Sequence, residues 1–171
     1  MTGHDKITPD GKKFYKEIEA LKKLQARVGF QHGGGTSGGE GGGEGGASEA
    51  GATGGKDVAD IVDVAMWNEL GTASSPARPF MTQSVENNEP DIKAACAAQL
   101  KEISSGRGTA QTALEALGVM QKAHIQNEIV KGSFVPNAEA TIKRKNSDKP
   151  LIDSSRMRGS VNYTIEPKGG D

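Results

Sequence analysis

The chain has 171 residues, of which 34% are hydrophobic and 4% aromatic, and its 21 basic and 22 acidic side chains leave a net charge of -1. That is one ordinary domain or a small domain with additions, long enough to bury a core. The balanced charge excludes a protein drawn as a whole to nucleic acid or an anionic membrane, and a lone cysteine, Cys96, excludes an intrachain disulfide or a cysteine-built metal cluster.

The opening "MTGHDKITPDGKK" has no apolar signal core, and no run approaches the roughly 20 apolar residues of a membrane span. A protein folded in the cytosol of its producing cell, with no membrane partner, is expected. A helix begins at Thr8, which can cap it, with Pro9 at the first helical position and Asp10 complementing the dipole. Phe14, Ile18, Leu21 and Leu24 form one apolar stripe, with Lys12, Lys13, Lys16, Lys22 and Lys23 largely off it as a solvated face. "ARVGFQ", Ala26 to Gln31, then alternates Val28 with Phe30 and reads as a short strand.

More than half of the 24 glycines follow in one block, at about 32–56, which has no aromatic or large aliphatic residue between His32 and Gly55. Such a sequence cannot repay the entropy of ordering, so it reads as a flexible loop or arm inserted into a single domain spanning 1–171. Gly41, Gly43 and Gly46 match a dinucleotide-binding spacing, but a tract this rich in glycine does so by chance and lacks a tightly flanking strand and helix. The phosphate-loop pattern fails outright, because Asp57 follows Gly55-Lys56 and Ala50 stands where its first glycine belongs.

Regular structure resumes with "DVADIVDVAMWNELGT", read as a helix with Val58, Ile61, Val62, Ala65 and Met66 on its apolar face and Gly71 as its end. Asp57, Asp60 and Asp63 read as its solvated side rather than a cation site. Beyond Phe80 a turn near Asn87 and Asn88 leads to a helix with Ile92, Ala95, Cys96, Gln99 or Leu100, and Ile103 facing inward, Cys96 as a small buried hydrophobe. The next helix is capped by Thr109 or by Thr112, which has Glu115 three residues on as in a capping box, and carries Leu114, Leu117, Met120, Ile125 and Ile129. Gly118 inside it marks a close contact, Gly132 ends it, and His124 reads as an ordinary, partly buried histidine.

A short helix or turn around Ala138 to Lys145 leads to Pro150 and to a second short helix carrying Arg156 and Arg158, capped by Asp153 and Ser154. The final strand, with Val161, Tyr163 and Ile165 on one face, would pair with the Val28 strand. The expected fold is therefore α+β, a small antiparallel sheet packed against several helices, with the glycine-rich loop outside it.

Catalytic apparatus is not legible. No G-x-S-x-G elbow is present, and the three histidines have no spacing suited to share a metal, so neither enzyme activity, cofactor nor metal is expected. The strongest local positive patch is Lys143, Arg144 and Lys145, with Lys149, Arg156 and Arg158 nearby. It suits a subunit contact, a channel lining or, in an alternative reading, a small nucleic-acid-binding or host-directed module.

Two segments resemble a known family. "VAMWNELGTASSPARPFM" resembles the signature A-x-x-N-E-F-G-T...I-P-A-R-P-F, with Leu70 in place of phenylalanine. "ATIKRKNSDKPLIDSSRMRGSVNYTI" resembles T-I-x-x-K-G-S-x-x-P-L-I-D-T-G-x-L-R-x-S-I-x-Y, with Asn146 for a glycine and Ser154-Ser155 for Thr-Gly. Both signatures are those of a tail-component family of long-tailed bacteriophages, whose members are neck or tail-completion proteins, also described as tail terminators.

The resemblance implies a non-enzymatic virion protein, assembled in the host bacterial cytoplasm. It implies a homo-oligomeric, hexameric ring at the head-tail junction, with the tail tube protein and the head-closure (neck) protein as partners. Genomic DNA would pass through without sequence-specific binding. Subunit-interface or structural-brace candidates are then Trp67, Asn68, Glu69, Arg78, Phe80, Asp153, Arg156 and Arg158, and channel or partner contacts are Lys143, Arg144 and Lys145. In the first set, Trp67 and Phe80 are expected to pin the proline-stiffened connector to the core, and Arg78 to pair with Glu69 across it.

Overall fold

The structure, a computed structural model, describes residues 7–30, 60–136, 151 and 156–169. The expected glycine-rich loop, the Ala138–Lys145 element and the Asp153 and Ser154 caps lie outside them. In chain order the elements are α1 (Pro9–Lys23), β1 (Leu24–Gly29), α2 (Ile61–Leu70), α3 (Phe80–Glu86), α4 (Glu89–Ser104), α5 (Ala110–Lys131), α6 (Arg156–Gly159) and β2 (Asn162–Pro167). The fold is α+β, a two-stranded antiparallel sheet with helices packed on it.

Helix α1 starts as its sequence dictates, with the Thr8 hydroxyl accepting from Gly11 N and Pro9 in the first turn. It passes into β1 without a loop, because Leu24 turns extended directly after Lys23. The strand therefore begins two residues before its sequence-expected start at Ala26. It pairs with β2 in a register that sets Val28 opposite Tyr163 and Ala26 opposite Ile165. Alternation then puts Gln25, Arg27, Thr164 and Glu166 on the other face, where Glu166 accepts from Gln25 Nε2 at 3.0 Å and pairs with Arg27.

A two-stranded ribbon is marginal alone, and α5 supports it. This helix touches α1, α3, α4, α6 and both strands. Gly118 lies buried where α5 meets β2; a Cβ built there would stand 2.6 Å from Tyr163 Cδ2 and 2.9 Å from Cγ. Only glycine lets the ring lie on the helix backbone. The N-terminus of α5 is a capping box, but between Thr109 and Thr112: the Thr109 hydroxyl accepts from Thr112 N at 3.2 Å and Thr112 Oγ1 accepts from Thr109 N at 3.0 Å. Glu115 instead accepts from Gln111 Nε2.

The core comprises Ala65, Phe80, Ile125, Ile129, Leu151, Met157 and Val161, with Val28, Phe30, Ile61, Met81 and Phe134 packed against it. Phe30 meets Phe80 edge-on, centroids 6.0 Å apart. Two sequence expectations are corrected. Cys96 is exposed, because the inward stripe of α4 runs through Ile92, Ala95, Gln99 and Ile103 and leaves Cys96 and Leu100 outside it. Phe80 to Glu86, expected to lead only to a turn, forms helix α3.

Gly118→Ala would favour an isolated helix by about 1 kcal/mol. Here the new methyl meets the root of the Tyr163 ring, so the expected net effect is a destabilisation of about 1–3 kcal/mol, checked by urea denaturation.

Candidate functional site

The segment from α2 to α3 gathers five of the sequence-predicted residues. Helix α2 is shorter than expected, starting at Ile61 because the Asp60 carboxylate accepts from Val62 N as its N-cap. Asp60 is thus a cap and not part of a solvated acidic stripe. Gly71 ends the helix with φ 77, and a Cβ there would stand 2.7 Å from Ala77 N, so both the left-handed turn and the tight return of the chain require glycine. Between them a narrow turn closes by paired backbone bonds of Thr72 and Ser75, with the Thr72 hydroxyl accepting from Ser74 N and Ser75 N.

The connector is fastened by Asn68, Glu69 and Arg78. Arg78 N donates to Asn68 O at 2.7 Å, Arg78 Nε to Val135 O at 3.0 Å and Nη1 to Asn68 Oδ1 at 3.5 Å, while Asn68 Nδ2 returns to Val64 O. Arg78 is 6% exposed. Burial pushes its guanidinium pKa below the usual value, yet arginine stays protonated in proteins.

Glu69 does not pair with Arg78, contrary to the sequence expectation. Its carboxylate accepts from Met81 N at 2.8 Å, Thr82 N at 3.0 Å and Thr82 Oγ1 at 2.7 Å. Pro79 stands at the N-cap of α3 and offers no side-chain cap, and Glu69 supplies an acceptor to the first-turn N–H groups of α3 from the neighbouring helix. Proline chemistry at the start of α3 thus decides where the acid points. Phe80, wholly buried, anchors the far end of the connector in the core.

Trp67 is not an anchor. It is 47% exposed, and Met66 at 49% and Leu70 at 71% accompany it. Residues at i, i+1 and i+4 share about 100° of helix arc, so the three form one outward apolar ridge. Met66, expected on the inner face, is excluded from it because Ala65 takes the buried position. Beside the ridge lies a groove of about 720 Å³ between α2 and the outer face of the ribbon, with Val28, Phe30, Val62 and Ala65 in its walls, Met66 and Leu70 on one side and Arg27 and Glu166 on the other. No sequence signal separated Trp67 from Asn68 and Glu69; only the angular position of Ala65 does so.

Of the remaining candidates, Arg156 and Arg158 lie on α6, which touches α2. Lys143, Arg144, Lys145 and Asp153 lie outside the described residues. Arg156 opens α6, and Arg158 is exposed, its carbonyl accepting from Gln126 Nε2 at 3.1 Å. Among the described residues no three His, Cys, Asp or Glu side chains are grouped to hold a metal, and no helix is long and apolar enough to cross a membrane. No protein-family model, curated protein or solved structure matches the chain.

Glu69→Ala removes the acceptor of two α3 N–H groups and is expected to destabilise the fold by about 1–3 kcal/mol, with Glu69→Gln milder because its amide oxygen still reaches one of them. Denaturant midpoints read by circular dichroism check the order wild type, Gln, Ala.

Proposed function

We propose that this chain is a structural, non-enzymatic virion protein that forms a ring at the head-tail junction of a long-tailed bacteriophage. It completes the tail tube, presents a face to the head-closure protein and leaves a channel for DNA. The observation that carries this reading is the Met66, Trp67 and Leu70 ridge beside its groove. It lies in the very segment whose sequence resembles the tail-completion family, and three large apolar side chains exposed together on one short helix suit a protein contact.

A ring needs a heterologous interface in which one patch of each subunit meets a different patch of the next. The ridge supplies one patch, and the brace of Asn68, Glu69 and Arg78 fixes its orientation relative to the core. The second family-like segment ends in α6 and β2, which pack on the same helix α5. The reading of a small nucleic-acid-binding or host-directed module using residues 143–158 stands as the alternative; of that region 151 and 156–158 are described, with Arg158 exposed on α6.

Light scattering across a concentration series, with tail-tube protein then added, tests the ring. A discrete mass of about six subunits, alone or on tube ends, is expected for the wild type. Leu70→Glu and Trp67→Ala are expected to lower that mass to a monomer while leaving the thermal midpoint within a few degrees, since neither side chain is in the core. A wild-type protein that stays monomeric and ignores tubes overturns the proposal.

A further inference from the structure

Helix α1 carries a row of cations that the fold does not use. At 100° per residue, Lys12, Lys16 and Lys23 fall within roughly 40° of arc over about 16 Å, with Lys13 about 60° to one side. All four are exposed, and none forms an ion pair with a described residue. Lys168 extends the row past the helix end, where its N–H donates to the Lys23 carbonyl at 2.8 Å.

Of the acids of α1, Glu19 alone lies along this row. Glu17 turns inward and accepts from Ala110 N at 2.8 Å, adding a cap to α5. Glu19, at the row's edge, is held by Lys22 at 2.6 Å, and that partner, with Lys23, keeps its carboxyl below the usual range. Asp10 lies about 160° from Lys12 around the helix. In a chain of net charge -1 the result is a local strip of net positive charge, with Glu19 its one acid and that acid paired to Lys22.

The chemistry of the row selects its partner. The apolar side of α1 faces α4 and α5, so it is not free to enter a lipid surface beneath the lysines. Tyr15 is the one exposed aromatic on the helix, too few for the stacking platforms that hold single strands. Lysines are point charges without the bidentate fork that reads base edges, which suits repeated, sequence-independent phosphate contact. We propose that the α1 row contacts the phosphate backbone of duplex DNA and faces the passage through the ring. Its placement in the passage rests on the ring reading, whereas the duplex affinity does not.

Fluorescence anisotropy with two duplexes of about 25 base pairs and unrelated sequence tests this, using the full chain. Four phosphate contacts predict an affinity that falls on the order of 100-fold between 50 and 200 mM salt, equally for both sequences. K12Q/K16Q/K23Q is expected to weaken binding at least about tenfold at the lower salt and to reduce that fall to several-fold. The equally neutralising K101Q/K122Q/K131Q and K143Q/R144Q/K145Q should bind as wild type. Unchanged affinity in the α1 variant, loss confined to the 143–145 variant, or tighter binding to phosphatidylglycerol vesicles than to duplex overturns the proposal. Scattering masses on the same samples separate the two readings. A ring whose DNA affinity ignores the α1 lysines sinks the row alone, and a monomer whose affinity depends on them sinks the ring alone.

Discussion

The fold depends on the approach of Tyr163 to Gly118. Strands β1 and β2 come from opposite ends of the chain and form a ribbon too small to bury a face of its own. Helix α5 provides that burial, and the absent side chain at Gly118 sets how closely ribbon and helix meet. Once they are in contact, Ile125 and Ile129 from the same helix complete the core with Phe80, Leu151, Met157 and Val161. The layered arrangement of helix on sheet follows from one glycine more than from any single large hydrophobe.

A second constraint is polar. A connector of small residues and prolines has little apolar surface with which to fix itself, so its backbone and that of α3 must be held by hydrogen bonds. Arg78 and Glu69 divide this work: the guanidinium binds the connector to Asn68 and to the chain beyond α5 at Val135, and the carboxylate satisfies the start of α3. Burying an arginine carries a desolvation penalty, offset here by fixed acceptors. Loss of any one of these partners would leave charge or N–H groups stranded.

Elements with strong local signals were legible in the sequence. Thr8-Pro9 starts α1 where expected, Gly71 and Gly132 end their helices, and the pairing of the Val28 and Tyr163 strands follows from their alternation. Side-chain partners were less legible. Opposite charges nine residues apart suggest a bridge, yet the unsatisfied N–H groups behind Pro79 claim Glu69 first, a demand that appears only once α3 is known to be a helix. Cys96 and Met66 were placed inside because a broad apolar pattern does not say where the stripe is centred; on each helix one neighbouring alanine, Ala95 or Ala65, takes the inward position. Trp67 was expected to pin one end of the connector because an aromatic stands at each end of it, yet only Phe80 is buried.

In the proposed ring the exposed ridge and the lysine row would share a logic of weak contacts made strong by repetition. Truncating Leu70 or neutralising Lys16 removes little that stabilises the isolated subunit, since both lie outside the core. In a closed ring each such contact recurs in every subunit, and a duplex held at one row is presented to the next at high effective concentration. A surface of point charges can then keep DNA centred by the sum of many exchangeable contacts, without any one of them binding tightly enough to stop its movement. In the proposed ring the brace would serve the same end from inside, because only a rigid α2 could set the same angle between neighbours at every contact and close the circle.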